Sequence, residues 1–246
     1  MTTEAIFTRA YLNNSWGSKE SRSGPSASLE RTAALRTALP GLFRELEIQS
    51  ILDCGCGDWN WMRHVDLTGI QYVGCDIVQS LIQSLQETFS APTVNFQVLN
   101  LLQDPPDTAD LWLARDLCPL FSSEDVWQFF QKFLESESKY LAITSVETED
   151  PYQDTFTGAW MPRTLLAAPF SMPAPLYELD DGEQWLLKKS LLIYERQVIV
   201  DWIQTKAAKF ELVTPQQVPE APKDRNAHLV NNIPLRKMKL DGTIAS

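Results

Sequence analysis

The feature that most constrains this chain is a pair of short apolar runs, each closed by an aspartate, with a glycine-rich turn between them. Ser50-Ile51-Leu52-Asp53 leads into Cys54-Gly55-Cys56-Gly57-Asp58-Trp59, and Tyr72-Val73-Gly74-Cys75-Asp76 follows one segment later. Short apolar runs bounded by turn signals read as buried strands. Glycine is needed where a backbone turns sharply or approaches a ligand closely. A helix opening at the turn would present free N–H groups and the positive end of its dipole. An acid closing the next strand is placed to accept two ribose hydroxyls. The pattern predicts a nucleoside-binding crevice at the carboxyl ends of parallel strands.

The rest of the chain reads outward from that crevice. Residues 50–53, 71–75, 94–99, 111–114 and 140–145 are strands, and helices are expected over 29–47, 57–65, 77–89 and from Ser122 to Leu134. Ser122 is an N-cap followed by the acids Glu124 and Asp125. Pro40-Gly41 is expected to break or kink the first of these helices. Strands at 176–179 and 190–194 form an antiparallel pair joined across Asp181-Gly182, and 198–213 form a last helix. The expected fold class is α/β, a doubly wound, mostly parallel seven-stranded sheet of Rossmann-like type, with right-handed crossovers.

Three regions organise the chain. Residues 1–47 form an N-terminal lid and helix, with a hydroxyl-rich run Ser21-Arg22-Ser23-Gly24-Pro25-Ser26-Ala27-Ser28. That run reads either as a loop whose Ser28 caps the next helix or as a cover for the crevice. Residues 48–213 form the core, interrupted by an insertion at 146–175 with five prolines and the aromatics Tyr152, Phe156, Trp160 and Phe170. A loop this long is functional or disordered, and its aromatics argue for order. Residues 214–246 read as a tail, or as a linker to a further domain.

Charge narrows the partners. The chain carries a net charge of −11, which opposes general nucleic-acid binding. No apolar run reaches the length of a membrane span, and the N-terminus lacks an export signal, so the expected location is cytoplasmic. The cysteines Cys54, Cys56, Cys75 and Cys118 are not expected to form disulfides. No metal site is expected, because Cys54-Gly55-Cys56 is spaced too tightly for zinc.

Dinucleotides and S-adenosylmethionine both suit a strand–loop–strand–acid unit. A dinucleotide loop needs a third glycine, where this chain has Asn60, and bare N–H groups, where Asp58 would repel pyrophosphate. Asp53 suits a ligand ammonium group. These residues favour the sulfonium cofactor.

Over roughly residues 48–145 and the antiparallel pair, the sequence resembles class I S-adenosylmethionine-dependent methyltransferases. The resemblance implies cofactor contacts from Asp53, Gly55 and Gly57 in the loop, Asp76 and Ile77 after the second strand, Asn100 and Leu101 after the third, and Arg115 after the fourth. A narrower likeness is to a poorly characterised bacterial group associated with glycan or secondary-metabolite clusters. It rests on Trp16-Gly17, Ser23-Gly24-Pro25-Ser26-Ala27-Ser28, Cys56-Gly57-Asp58-Trp59-Asn60-Trp61-Met62 and Asp154-Thr155-Phe156-Thr157-Gly158-Ala159-Trp160-Met161-Pro162. Leu120 stands where that group carries a histidine.

The resemblance implies methyl transfer, most simply to oxygen of a small-molecule, glycan or peptide acceptor. N-methylation of an amine and an inactive cofactor-binding scaffold are the alternatives. Asp116 is the candidate base, with a structural ion pair to Arg115 as the competing reading. Arg22, Ser26, Trp160 and Arg163 are the candidate acceptor contacts, guanidinium matching carboxylate geometry. Trp59 and Trp61 read as core, and His64 and His228 as uninvolved.

Overall fold

A computed structural model describes residues 1–105, 107–184 and 187–210. Seven strands form one sheet in the order β3-β2-β1-β4-β5-β7-β6. They are β1 (Ser50–Cys54), β2 (Gln71–Asp76), β3 (Val94–Val98), β4 (Leu111–Ala114), β5 (Tyr140–Val146), β6 (Tyr177–Gln184) and β7 (Leu187–Glu195). Strands β1 to β5 pair in parallel, whereas β7 is antiparallel to both β5 and β6. The sheet is therefore mixed rather than mostly parallel. The cause is the hairpin that returns after the insertion and seats its second strand against β5.

Alternation along the strands sends side chains to two cores. On one face Leu52, Trp112 and Ile143 meet α4 (Ser123–Glu135) and α5 (Arg196–Phe210) through Phe129, Phe133, Ile199 and Trp202. On the other face Ile51, Tyr72, Leu113 and Ala142 meet α2 (Ala33–Glu45) and α3 (Gln79–Phe89) through Leu35, Leu39, Phe43, Leu81 and Leu85. Each large apolar side chain so buried contributes about 1.5–3 kcal/mol, which fixes strand ends relative to one another.

Four expectations are corrected. First, α1 (Thr3–Leu12), capped by Thr2, lies in the lid region, where no helix is expected before residue 29. Second, α2 opens at Ala33 rather than at residue 29, and runs through Pro40 without a break. Third, no α-helix follows β1: the only helical residues there are the single 3-10 turn Met62–His64, and Trp59 has φ 56°. Fourth, Asp181 and Gly182 lie within β6 at a register shift between Asp180 and Glu183, not in the hairpin turn. The expected tail at 214–246 and His228 lie outside the described residues.

No helix of the described residues is long and apolar enough to cross a membrane. The four cysteines are buried and free.

Candidate active site

The carboxyl ends of β1, β2 and β4 open into one cleft, walled by the glycine loop, Asp76, Asn100, Arg115, Asp116 and the N-terminal segment. Gly55 and Gly57 take left-handed φ values of 74° and 55°, which glycine adopts without penalty. The loop's N–H groups are all engaged within the protein. Gly55 and Cys56 both donate to the Cys75 carbonyl at 2.9 Å. Gly57 donates to Asp76 Oδ2 at 3.2 Å and Asp58 to Ser23 Oγ at 2.9 Å.

Asp76 sits at the floor of the cleft. Its second oxygen, Oδ1, accepts from Val78 N–H at 3.0 Å. Burial raises its pKa, and the N–H bonds of Val78 and Gly57 partly offset that. Ile77, Val78, Leu81, Leu99, Leu101 and Leu102 make an apolar slot beside it. Asn100 borders the slot, its side-chain oxygen accepting from Leu102 N–H at 3.1 Å.

Asp53 does not line this cleft, contrary to its expected contact with a ligand ammonium. It is 4% exposed beneath the loop and accepts from the Tyr72 hydroxyl at 2.5 Å. Burial pushes its carboxyl up to about 7, against the lowering effect of Tyr72 and Arg115. The apolar strand that makes Asp53 conspicuous in sequence also carries it into the core.

Asp58 and Asn60, which argued against a dinucleotide loop, fasten the N-terminal segment over the cleft. The Asp58 carboxylate accepts from the Ser21 hydroxyl (2.8 Å), the Ser23 hydroxyl (3.1 Å) and the Arg22 N–H (2.7 Å). The Asn60 amide donates to Glu20 and to the Ala27 carbonyl, each at 2.9 Å. These bonds take up the polar groups that a helix after β1 would have left to solvent, and account for the absent helix. Ser28 does not cap α2, whose N-cap is Thr32.

The ends of β4, β6 and β7 bring together four charges. Arg115 Nε lies 3.0 Å from both oxygens of Asp181, and its Nη2 bonds Asp181 and the Ser26 carbonyl at 2.8 Å. Lys189 Nζ is 3.0 Å from both oxygens of Asp116 and 3.2 Å from Asp181. Arg115 Nη1 lies 3.3 Å from Asp116, whose Oδ2 also accepts from the Ser26 hydroxyl at 2.7 Å. Two cations and two anions balance. Burial pushes the Asp116 carboxyl up, but Lys189 and Arg115 outweigh it and hold the group well below the usual carboxylate range. Asp116 is also held at φ 58°, an uncommon conformation outside glycine.

The remaining wall is aromatic. Thr3, Phe7 and Tyr11 share one face of α1, and Trp16, Phe121 and Trp160 complete the wall with Leu117 and Leu120. The insertion is tied to the segment after β4, Gly158 N–H donating to the Leu120 carbonyl (2.7 Å) and Met161 N–H to that of Pro119 (2.8 Å). Gly158 has φ 99°, and a Cβ there would lie 2.3 Å from Ile6 of α1.

Of the expected acceptor contacts, Ser26 and Trp160 line the cleft. Arg163 does not. It is fully buried and bonds Asp154, the Tyr152 hydroxyl and the Phe121 carbonyl. Arg22 lies outside the cleft, its guanidinium 5.6 Å from the Tyr11 ring centre. Trp61, read as core, lines the cleft beneath Arg115 at 5.1 Å. Phe7 and Tyr11 were not singled out, although Thr3, Phe7 and Tyr11 repeat every four residues. Asp181 and Lys189 gave no sequence signal as buried residues.

No family model and no curated protein matches the chain. Solved structures do. The magnesium protoporphyrin IX methyltransferase of Synechocystis PCC 6803, with bound SAH, aligns at TM-score 0.54 and 14% identity over 76% of this chain and 93% of that one. The fold is that of the class I S-adenosylmethionine-dependent methyltransferases. The 1,6-didemethyltoxoflavin-N1-methyltransferase of Burkholderia thailandensis aligns at TM-score 0.50 and 16% identity, covering 66% of this chain and 78% of that one. The mitomycin 7-O-methyltransferase aligns at 0.52 and 15%, covering 68% and 54%. In this methyltransferase fold, the neighbours act on O- and N-acceptors alike.

Proposed function

We propose that the protein is an S-adenosylmethionine-dependent methyltransferase that methylates the oxygen of a carboxylate on a small-molecule acceptor. The residues fit the cofactor. Asp76 offers a carboxylate, already aimed by two N–H groups, to the ribose hydroxyls. Ile77, Leu99 and Leu101 offer an apolar slot for adenine, bordered by Asn100. The glycine loop would hold the methionine portion, and Arg115 also lines the cleft. When bound, the cofactor supplies an electrophilic methyl group on a positively charged sulfur.

The chain's own part is to orient, enclose and keep dry. The N-terminal segment, fastened through Asp58 and Asn60, and the insertion cover the cleft. A neutral hydroxyl acceptor needs a base, whereas a carboxylate is already a nucleophile near neutral pH. The observation that carries the acceptor reading is the state of Asp116: held as an anion by Lys189, Arg115 and Ser26, it has little affinity for a proton. In this reading Asp116 orients Ser26 and Arg115 rather than acting as base.

Calorimetry with S-adenosylhomocysteine tests the cofactor half. Binding is expected, weakened about tenfold or more in Asp76→Ala; no heat at several hundred micromolar would end the proposal. Tritiated methyl transfer to a panel of carboxylates, phenols and amines tests the acceptor half. A base-labile ester is the expected product, at a rate constant level from about pH 6 to 9. Transfer confined to phenols or amines would refute the carboxylate reading.

A further inference from the structure

We infer that the acceptor is a planar aromatic carboxylate, its ring lodged between α1 and the insertion; this rests on the cleft being a methyl-transfer site. The argument comes from how the wall opposite Asp76 is built. Phe7, Tyr11, Trp16, Leu120, Phe121 and Trp160 all present surface to the cleft. Contrast Trp59, whose ring is enclosed by Tyr72, Phe89 and Phe96 at centroid distances of 5.8, 5.2 and 5.1 Å. Trp16 and Trp160 are only half-buried. Large rings that keep a face in a cleft are surface awaiting an apolar partner.

A glycine with left-handed φ lies close to each tryptophan, in space for Trp16 and in sequence for Trp160. Gly24, at φ 104°, lies against Trp16, where a Cβ would be 3.2 Å from the Trp16 Cβ. Gly158, two residues before Trp160 in the insertion, has φ 99° and lies against the Ile6 side chain of α1. Aromatic partners prefer offset-stacked or edge-on contact with such rings.

Charge supports the same class. Arg115, Asp116, Asp181 and Lys189 neutralise one another, Asp58 and Asp76 belong to the glycine-loop side of the cleft, and the aromatic wall itself is uncharged, so on that side recognition falls to the rings. The Arg22 guanidinium, outside the cleft and over the Tyr11 ring of α1, adds a positive charge that favours the approach of a carboxylate.

The test is calorimetric titration of 2-naphthoate, cyclohexanecarboxylate and glucuronate into the whole protein, with and without saturating S-adenosylhomocysteine. 2-Naphthoate is expected to bind about tenfold or more tighter than cyclohexanecarboxylate, and glucuronate weakest. Trp160→Ala and Tyr11→Ala should each remove most of that preference, while Trp160→Phe keeps it, with circular dichroism checking each variant's fold. Equal affinities, tightest binding of glucuronate, or a preference intact in both alanine variants would overturn the inference. Silence toward S-adenosylhomocysteine alongside a naphthoate preference would instead sink the methyl-transfer reading and leave the aromatic site standing.

Discussion

A single methyl group on Gly57 tests whether the N-terminal segment and the glycine loop are one mechanical unit. A Cβ there would lie 2.0 Å from Ser23 Oγ and 2.9 Å from Ser23 Cβ, so Ser23 must leave. Its hydroxyl both donates to Asp58 Oδ1 and accepts the Asp58 N–H, two bonds worth about 1 kcal/mol each. The left-handed φ of 55° adds about 1–2 kcal/mol for alanine. Gly57→Ala should therefore cost about 3–4 kcal/mol in urea unfolding. The discriminating quantity is the coupling to Ser23→Gly. That substitution alone loses the two bonds, about 2 kcal/mol, but costs almost nothing once Gly57→Ala has already evicted the side chain. A coupling near 2 kcal/mol is expected, and strict additivity to within about 0.5 kcal/mol would refute the clasp. Ser23→Ala should rescue less than Ser23→Gly, because its Cβ keeps the 2.9 Å contact.

Two further substitutions probe buried charge. Asp181→Ala leaves Arg115 and Lys189 facing Asp116 alone, and should cost about 3–5 kcal/mol; adding Lys189→Met restores the balance and should recover most of it, whereas a double variant no more stable than the single would count against the network. Asp53 has its carboxyl raised from 3.8 to about 7, so the folded state holds a proton the unfolded state has released. Its contribution is full below about pH 4 and is lost as pH rises through about 7, a change of roughly 4 kcal/mol. Asp53→Asn should lack that slope, and superimposable stability–pH curves for the two proteins would contradict the assignment.

Much of this was legible in the sequence because the local signals and the global fold agree. The strands at Ser50–Cys54, Leu111–Ala114 and Tyr140–Val146 are short apolar runs buried on both faces, Gln71–Asp76 is buried at Tyr72, Gly74 and Cys75, and Ser122 caps α4 with a 3.2 Å bond from Asp125 N–H. Gly55, Gly57 and Asp76 follow from the strand ends and the turn, Ile77, Asn100, Leu101 and Arg115 from the family resemblance, and they meet at one cleft. What was not legible depends on partners distant in sequence. The helical spacing of Trp59 and Met62 is overridden by bonds from Asp58 and Asn60 to residues near position 20. Lys189 looks like an ordinary surface lysine beside Lys188, yet it is 2% exposed, because Asp116 and Asp181 arrive from elsewhere. Asp181-Gly182 looks like a hairpin turn, but Asp181 is buried against Arg115 and lies within β6.

The glycine loop has one more consequence. Its donors are already spent: Gly55 and Cys56 on the Cys75 carbonyl, Gly57 on Asp76, Asp58 on Ser23. Loops that seize phosphate do so with bare N–H groups and a helix terminus behind them. Here a bend replaces the helix, and the nearby anions Asp58 and Asp76 remain. A nucleotide bringing phosphates would have to break these bonds and face like charge. In the proposed reading, a nucleoside whose head group carries a net positive charge meets less of that like charge, so the loop would discriminate between coenzymes by refusing one charge rather than by grasping the other.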